Sequence, residues 1–276
     1  MKKHKTVIFL TLGFLVGICI LLYPAISSYW NSKTQSRAIT NYESVLANLQ
    51  PEDYTTLLED AHAYNKALYE TDFPLMDYKK LSGYDDTLSI TDNHMMGYLK
   101  IDRIGVELPI YHGTSDEVLN KGVGHLEGSS LPVGGENTHC VMSAHRGLPS
   151  SKLFTDLDRV EKGDTFQIVV LNQVLTYQVD QITIIEPDDF TQLQIIEGGD
   201  YCTLFTCTPY GINTHRLLVR GHQVDETQAR NIYVANEAYR VKPMIVMPIV
   251  ALPIIFVLLV YIMVAPVKKE SLGEDT

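Results

Sequence analysis

The stretch DYCTLFTCTPYGINTHRLLVRG, from Asp200 to Gly221, contains two apolar segments separated by a run of turn residues. Both segments are rich in Thr, Leu and Val, which favour β-strands, whereas the Pro, Gly and Asn between them predict a reversal of the chain. A turn through Gly211 and Asn213 would bring Arg216, at the start of the second strand, beside Cys207, at the end of the first. The stretch therefore predicts two strands that present a cysteine and an arginine at their loop end.

Short strands of the same kind occupy the chain from Gly97 onwards, and they are bounded by Gly, Pro, Asn and Asp. A hairpin turn is predicted at LNQV, with Asn172 at its tip, and short helices are predicted in SDEVLNKG and SSKLFTDLDRV. Seven or eight strands in this length predict a mainly β fold, a closed or nearly closed barrel, because closure of a sheet removes its exposed edges. The predicted strands are GYLKI, VELPIYHG, THCVMSAH, DTFQIVVL, VLTYQVDQITII, CTLFTC and HRLLVRG.

Two apolar runs lie near the ends of the chain, from Val7 to Leu22 and from Met244 to Val264. Each run approaches the roughly 20 residues that a helix needs to cross a bilayer, and lysines lie on the outer flank of each. These features predict a protein of the cell membrane with two transmembrane helices, both termini in the cytoplasm and the middle outside. A cleaved secretory signal is the alternative for the first run, because small residues near Ala25 and Ser27 could serve a peptidase.

The exported part is predicted to begin with helices and to continue with the strands. Two helices are expected on either side of Gln50, because apolar residues recur at helical spacing and Pro51 with Glu52 suits the start of the second. The predicted boundaries are 1–26 for a cytoplasmic tip and the first membrane segment, 27–93 for the N-terminal helices, 94–225 for the β-barrel, 226–243 for a linker, 244–264 for the second membrane helix and 265–276 for a cytoplasmic tail.

The composition limits both the class of partner and the state of the cysteines. A formal net charge of −11 and a pI near 5.2 argue against binding of nucleic acid, whose phosphates require a basic face. Outside the first apolar run only Cys140, Cys202 and Cys207 remain. An odd number of cysteines in an oxidising compartment leaves at least one thiol unpaired within the chain, unless two chains are linked. A free, reactive cysteine is therefore expected in the exported domain.

His145, in SAHRG, ends an apolar strand in the same way as Cys207. As a thiolate Cys207 can attack a carbonyl, His145 can move protons, and Arg216 can donate hydrogen bonds to the oxyanion. These three are the predicted catalytic residues. Cys140 precedes His145 by five residues and Cys202 precedes Cys207 by five. If the two strands are parallel and bring His145 beside Cys207, they also place Cys140 beside Cys202. Free thiols are favoured there over a disulfide, whose cross-strand geometry is demanding.

Other candidate residues fit these roles less well. His215 would point to the face of its strand opposite to Arg216, and Arg220 shares the face of Arg216 but lies further from the loop, which indicates a structural role. No Cys-x-x-Cys or His-x-x-x-His pair is present, and the acidic GYDDTLSITDN departs from the spacing of a calcium loop, so neither a metal nor a cofactor is predicted. The histidines that lack the position of His145 at a strand end beside RG also include His125, His139 and His222.

The motifs resemble those of the sortase family of cysteine transpeptidases. TLFTCTPYG followed by NTHRLLVRG is similar to the sortase signature of a Thr-Leu-x-Thr-Cys strand end with an arginine on the next strand, and SAHRG is similar to the histidine element of the family. The likeness continues through GYLKI, LPIYHGTS, GVGHLEGSSLPVGG and LFTDLDRV, so it covers about Gly97 to Gly221. With helices before the domain and a membrane span after it, the chain resembles the class C, pilin-polymerising sortases of Gram-positive bacteria in particular.

The resemblance implies an eight-stranded β-barrel and a reaction in two steps. Cys207 would cleave a C-terminal LPxTG-like sorting signal after its threonine, leaving a thioacyl enzyme that a lysine amine of another pilin subunit resolves. His145 would act as general acid and base, and Arg216 would stabilise the tetrahedral intermediate. The alternatives are a housekeeping-type sortase that attaches surface proteins to the cell wall, a cysteine peptidase with water as the acceptor, and a non-catalytic membrane adhesin.

Class C sortases resemble one another in carrying a lid before the barrel, in which an Asp-Pro-aromatic motif covers the catalytic cysteine. This chain departs from that motif, since in TDFPLMDY both Asp72 and Phe73 precede Pro74, and no proline lies between Asp77 and Tyr78. The resemblance implies a lid in which Asp77 lies toward the catalytic arginine and Tyr78 lies over the catalytic sulfur. Asp72 with Phe73 is the alternative pair, and an ordinary linker is the alternative to a lid.

Overall fold

The computed structural model describes residues 2–72 and 74–225, together with 253, 254, 257 and 260. Two helices on either side of Gln50 were expected, and the structure confirms them. Gln50 is the N-cap of the second helix, and its backbone N–H donates to the carboxylate of Asp53 at 2.9 Å. The helices of the described residues are α1 (Lys2–Leu46), α2 (Pro51–Tyr69), α3 (Pro74–Asp77) and α4 (Asp116–Lys121).

Helix α1 is the one helix in the described part of the chain that is long and apolar enough to cross a membrane, and its most apolar stretch is not buried against protein. A signal sequence near the N-terminus meets the same criteria of length and composition, so the membrane anchor and the cleaved signal both stay predictions. Residues 1–27 belong to a different compact unit from the barrel, which lies within Ser28–Asn236. Of the predicted second span only 253, 254, 257 and 260 are described, and the predicted linker and tail lie outside the described residues.

Eight strands form a closed barrel with the neighbour order β1-β2-β3-β4-β7-β8-β6-β5. This confirms the predicted mainly β fold and its closure. The sequence-based prediction missed one strand, β3, because three residues are too few to show an alternating pattern. The strands are β1 (Met95–Ile101), β2 (Val106–His112), β3 (Val123–His125), β4 (Thr138–Ser143), β5 (Thr165–Val170), β6 (Gln173–Ile185), β7 (Asp200–Thr208) and β8 (His215–Val224).

Most of the predicted local elements are present. The β5–β6 hairpin turns at Leu171 and Asn172, as LNQV predicts, and SDEVLNKG forms α4. In contrast, SSKLFTDLDRV contains only a single 3-10 turn, Leu157–Arg159. The backbone at Leu153 is left-handed, with φ of 38°, and the N–H of Phe154 donates to the carbonyl of His145 at 3.1 Å. A tertiary hydrogen bond therefore takes the place of the first helical turn.

The N-terminal helices are fixed to the barrel by buried hydrogen bonds. The hydroxyl of Tyr42 in α1 donates to the carbonyl of Met96 and accepts from the N–H of Leu171, both at 2.8 Å. Asn65 in α2 bonds both backbone groups of Leu131, at 2.7 and 3.1 Å. Because each group is buried and satisfied, the second half of α1 and all of α2 are anchored on the barrel wall.

Alternation along β7 and β8 separates the core from the outer face of the sheet. Cys202 and Leu204 on β7 belong to the main core, together with Leu217 and Val219 on β8. Since successive side chains of a strand point to opposite faces, the residues of the other parity face outward. The candidate catalytic residues on these two strands belong to that outward set.

Candidate active site

Cys207 and Arg216 lie directly opposite each other where β7 and β8 meet their connecting loop. Paired residues of antiparallel strands point to the same face, and their Cβ atoms are usually about 5 Å apart. The loop that makes this register possible contains Gly211 and Asn213 with left-handed backbones, at φ of 75° and 62°. The turn that the sequence predicted therefore exists, and it brings the arginine beside the cysteine.

The parallel pairing of β4 with β7 places His145 at the same end of the barrel as Cys207 and Arg216. Ser143 is the register partner of Phe205, and beyond it the N–H of Ala144 donates to the carbonyl of Phe205 at 3.3 Å. The hydroxyl of Thr206 then donates to the carbonyl of Ala144 at 2.7 Å. The next position along the two chains is His145 beside Cys207. All three sequence-predicted residues thus meet at one end of the barrel, where each is partly accessible to solvent.

The two arginines of β8, Arg216 and Arg220, differ in the partners of their guanidinium groups. Arg220 donates to both carboxylate oxygens of Asp180, at 3.0 and 2.9 Å, and its guanidinium lies 4.6 Å from the ring centroid of Tyr201. Arg216 donates only to the backbone carbonyls of Asn213 and His215, each at 3.1 Å, and has no carboxylate partner among the described residues. Arg216 therefore retains free donors and an uncompensated charge beside the thiol. The structural role predicted for Arg220 agrees with its ion pair.

Other histidines of the barrel have hydrogen-bond or ion-pair partners away from Cys207. His125 and His139 are fully buried, and His139 bonds the carbonyl of Gln194 at 2.7 Å and the hydroxyl of Thr203 at 2.8 Å. Burial lowers the pKa of His139 to about 4, so its imidazole is neutral. His215 lies 3.3 Å from the carboxylate of Glu186. None of these side chains is positioned by the register of β4 and β7 to face the thiol of Cys207.

Cys140 and Cys202 are register partners on β4 and β7, as the equal spacing of five residues predicted. Both are fully enclosed free thiols in the structure. Burial, followed by the hydrogen bond with Cys140, raises the pKa of Cys202 well above its usual range, so this thiol is unreactive. Among the described residues no group of three or more His, Cys, Asp or Glu side chains is arranged to hold a metal ion.

An apolar surface flanks the candidate site on the outer face of the sheet. Phe205 shares its strand face with Cys207, and Leu218 shares its face with Arg216, so both continue the surface from the site. Leu75 of α3 packs against this surface. We call it the apolar floor, and its other members are Leu126, Val141, Ile185 and Leu193.

The segment that contains α3 is docked closely on the barrel. The positive φ of 84° at Gly128 favours glycine, and a Cβ atom at that position would approach the carbonyl oxygen of Pro74 to 2.6 Å. Leu75 adds its apolar contact with the floor, whereas the next residue, Met76, is 75% exposed. Leu75 was not recognised from the sequence, because its neighbours in the floor come from residues 126 to 218 and leave no local pattern.

The side chain of Asp77 has a different partner from the one predicted for it. Asp77 forms a salt bridge with Lys80 at 2.6 Å, and the described residues contain no ion pair between Asp77 and Arg216. The ring of Tyr78 lies 5.8 Å from the ammonium of Lys79. A short-range ion pair i to i+3 satisfies the carboxylate without crossing to the barrel. A position of Tyr78 over the sulfur stays a prediction, and the alternative pair includes residue 73, which lies outside the described residues.

Comparison with known proteins gives one consistent family. A sortase domain model matches residues 99–224. The crystal structure of sortase C1 from Streptococcus agalactiae is 48% identical, covers 68% of this chain and 98% of its own, and superposes with a TM-score of 0.63. The structure of Clostridium perfringens sortase C with the C-terminal cell wall sorting motif is 44% identical, with coverages of 69% and 99% and a TM-score of 0.61.

Sortase D of Bacillus subtilis is 32% identical over 131 residues, which are 46% of this chain and 63% of that protein. The chain thus spans less than two thirds of this curated relative. The solved sortase C structures, by contrast, are matched over almost their whole length, and the residues that the sortase domain model matches include β4, β7 and β8. On that basis the chain belongs to the sortase family, and its structure matches those of class C sortases.

Proposed function

We propose that the chain is a cysteine transpeptidase that cleaves an LPxTG-like sorting signal and joins it to a lysine amine of a pilin subunit. The observation that carries the proposal is the register that sets Arg216 opposite Cys207 and continues His145 alongside it. The likeness to a sortase C structure with a cell wall sorting motif supports the substrate class. The likeness to class C sortases supports an acceptor amine in place of water.

The chemistry that fits this geometry begins with the thiolate of Cys207 attacking the threonine carbonyl of the signal. The oxyanion that forms would accept hydrogen bonds from the free donors of Arg216. The bond between carbon and nitrogen then breaks, the leaving amine takes a proton from the imidazolium of His145, and a thioester remains on Cys207. An incoming lysine amine attacks the thioester and gives its proton back to His145, which forms the isopeptide bond and releases the thiolate.

We further propose that the segment around α3 is a lid over the apolar floor. The contact of Leu75 with the floor and the close approach of Pro74 to Gly128 support this role. A sorting signal carries an apolar leucine next to its proline, and the same floor is suited to that side chain. Binding of the signal would therefore require Leu75 to leave the floor. The lid would then be held closed by the apolar contact of Leu75 and not by an ion pair between Asp77 and Arg216.

The proposed activity is tested with the full chain in detergent, a sorting-signal peptide and a lysine-containing pilin peptide. We expect an amide-linked product and a thioacyl adduct on Cys207, both detected by mass spectrometry. Cys207→Ala should abolish both species, whereas Cys19→Ala, which removes an exposed thiol of α1, should leave them unchanged.

The identity of the product separates the alternative functions. Release of the cleaved peptide acid alone, with the amine present, would identify a cysteine peptidase. A product with a cell-wall amine in preference to the pilin lysine would identify a housekeeping-type sortase. Cleavage that persists in Cys207→Ala would contradict the proposed nucleophile.

A further inference from the structure

Arg146, the residue after His145, carries a charge that is almost completely removed from solvent. Its side chain is 7% exposed, and its Nη2 donates to the half-exposed carboxylate of Asp158 at 2.5 Å. Its Nε is buried and has no hydrogen-bond partner among the described residues. A buried arginine with an unsatisfied donor and a half-exposed carboxylate as its partner is a poor source of stability, because desolvation of its charge offsets the attraction. The position of Arg146 therefore calls for another explanation.

The contacts of Arg146 reach the segment that follows Cys207. Its Nη1 donates to the hydroxyl of Thr208 at 3.1 Å, and its guanidinium lies 6.0 Å from the ring centroid of Tyr210. The same ring packs on Gly147, where φ is 80° and a Cβ atom would come within 3.0 Å of a ring carbon. Arg146 and Gly147 together thus hold the chain from Thr208 to Tyr210.

The two ends of this link are the immediate neighbours of the candidate nucleophile and base. Arg146 follows His145, and Thr208 follows Cys207 on the parallel strand. Because side chains alternate along β7, Thr208 lies behind the face that presents Cys207, and its hydrogen bond brings the guanidinium of Arg146 to that side. Thr208 is buried, in agreement with that placement.

We infer that Arg146 is a positioning residue, which ties the loop carrying His145 to the strand end carrying Cys207 from behind. The inference rests on the proposed transpeptidation, in which proton transfer requires the imidazole to stay within hydrogen-bond reach of the thiol and the leaving amine. A displacement of about 1 Å in such an arrangement can cost on the order of a hundredfold in rate. The ion pair with Asp158 keeps the guanidinium in place at its outer end.

The test compares Arg146→Met and Arg146→Lys with a matched control, Arg159→Met, in the full chain in detergent. Arg159 is half-exposed and pairs with Asp156 at 3.4 Å, so the control removes the same side chain from the surface. The measurements are kcat and KM per reactive Cys207, and the pH dependence of Cys207 alkylation by iodoacetamide, followed on its peptide by mass spectrometry.

We expect Arg146→Met to lower kcat by about tenfold to a hundredfold with KM changed less than about twofold, and to shift the pH profile of alkylation. Arg146→Lys should recover part of kcat, because it keeps the charge and one donor but not the planar fork. Arg159→Met should match the unsubstituted chain. A merely structural role would lower the melting temperature and the number of reactive sites, but leave kcat per site and the alkylation profile equal to the control, which would overturn the inference.

If Arg146→Met does not fold, Thr208→Val tests the same contact, because it removes only the hydroxyl that accepts the hydrogen bond from Arg146. We expect a several-fold lower kcat per reactive site, and a value equal to that of the unsubstituted chain would contradict the link.

Failure of the proposed function is a separate result. The unsubstituted chain would then form no transfer product, while the alkylation profiles would still show whether Arg146 controls the environment of Cys207.

Discussion

Replacement of Leu75 by alanine should make the partly accessible thiol of Cys207 more accessible without unfolding the barrel. Leu75 is half-buried, and its contact with the apolar floor is the main apolar attachment of α3. The substitution removes three carbon groups, each worth about 0.8 kcal/mol when fully buried. For a half-buried side chain the loss is about 1 kcal/mol, which multiplies the population of the open lid by about fivefold.

The assay is the rate of alkylation of Cys207 by iodoacetamide in the full chain. If the lid opens and closes faster than the thiol reacts, the rate follows the open population, so Leu75→Ala should react about five times faster. Met76→Ala is the matched control, because Met76 belongs to the same helix but is 75% exposed. Its rate should stay within about twofold of the unsubstituted chain.

Two buried thiols report on the integrity of the barrel in the same experiment. Cys140 and Cys202 are enclosed in the core, and their alkylation should stay slow in both variants. Equal rates at Cys207 for Leu75→Ala and Met76→Ala would refute the proposed lid contact. Faster alkylation of all three thiols together would show that the substitution destabilises the whole barrel, which would also refute a local lid.

Three further predictions concern the proposed catalytic role of Arg216, the neighbouring thiols of Cys140 and Cys202, and the buried His139. Arg216→Ala should lower transfer on the order of a hundredfold or more through loss of an oxyanion donor, and near-normal transfer would move the role to Arg220. Alkylation of the denatured chain without reduction should modify all four cysteines, whereas protection of Cys140 and Cys202 would reveal a disulfide. Burial lowers the pKa of His139 from 6.5 to about 4, so the unfolded state binds more protons and stability falls as the pH drops through that window, by about 3 kcal/mol in total. His139→Gln should reduce the fall in melting temperature between pH 7 and pH 4.5, and an equal fall in both proteins would contradict this.

Local features of the sequence were sufficient for most of the secondary structure and for the candidate catalytic residues. The hairpin at Asn172 and the helix start at Pro51 were predicted because turn chemistry and capping depend on a few adjacent residues. The spacing of five residues between two pairs predicted that Cys140 would lie beside Cys202, because parallel strands advance by equal steps. The premise of that prediction was that His145 lies beside Cys207, which the roles assigned to the two residues required.

Tertiary packing decided the features that depend on distant segments. The sequence alone gave no reason to expect the three-residue strand β3, which exists because β2 and β4 pair with it on either side. Asp77 pairs with Lys80, because this lysine lies only three residues further along the same short segment. The contact of Leu75 with the floor and that of Arg146 with Thr208 join residues far apart in the chain. Such contacts depend on the pairing of β4 with β7 and of β7 with β8, which joins distant segments and leaves no periodic pattern in the sequence.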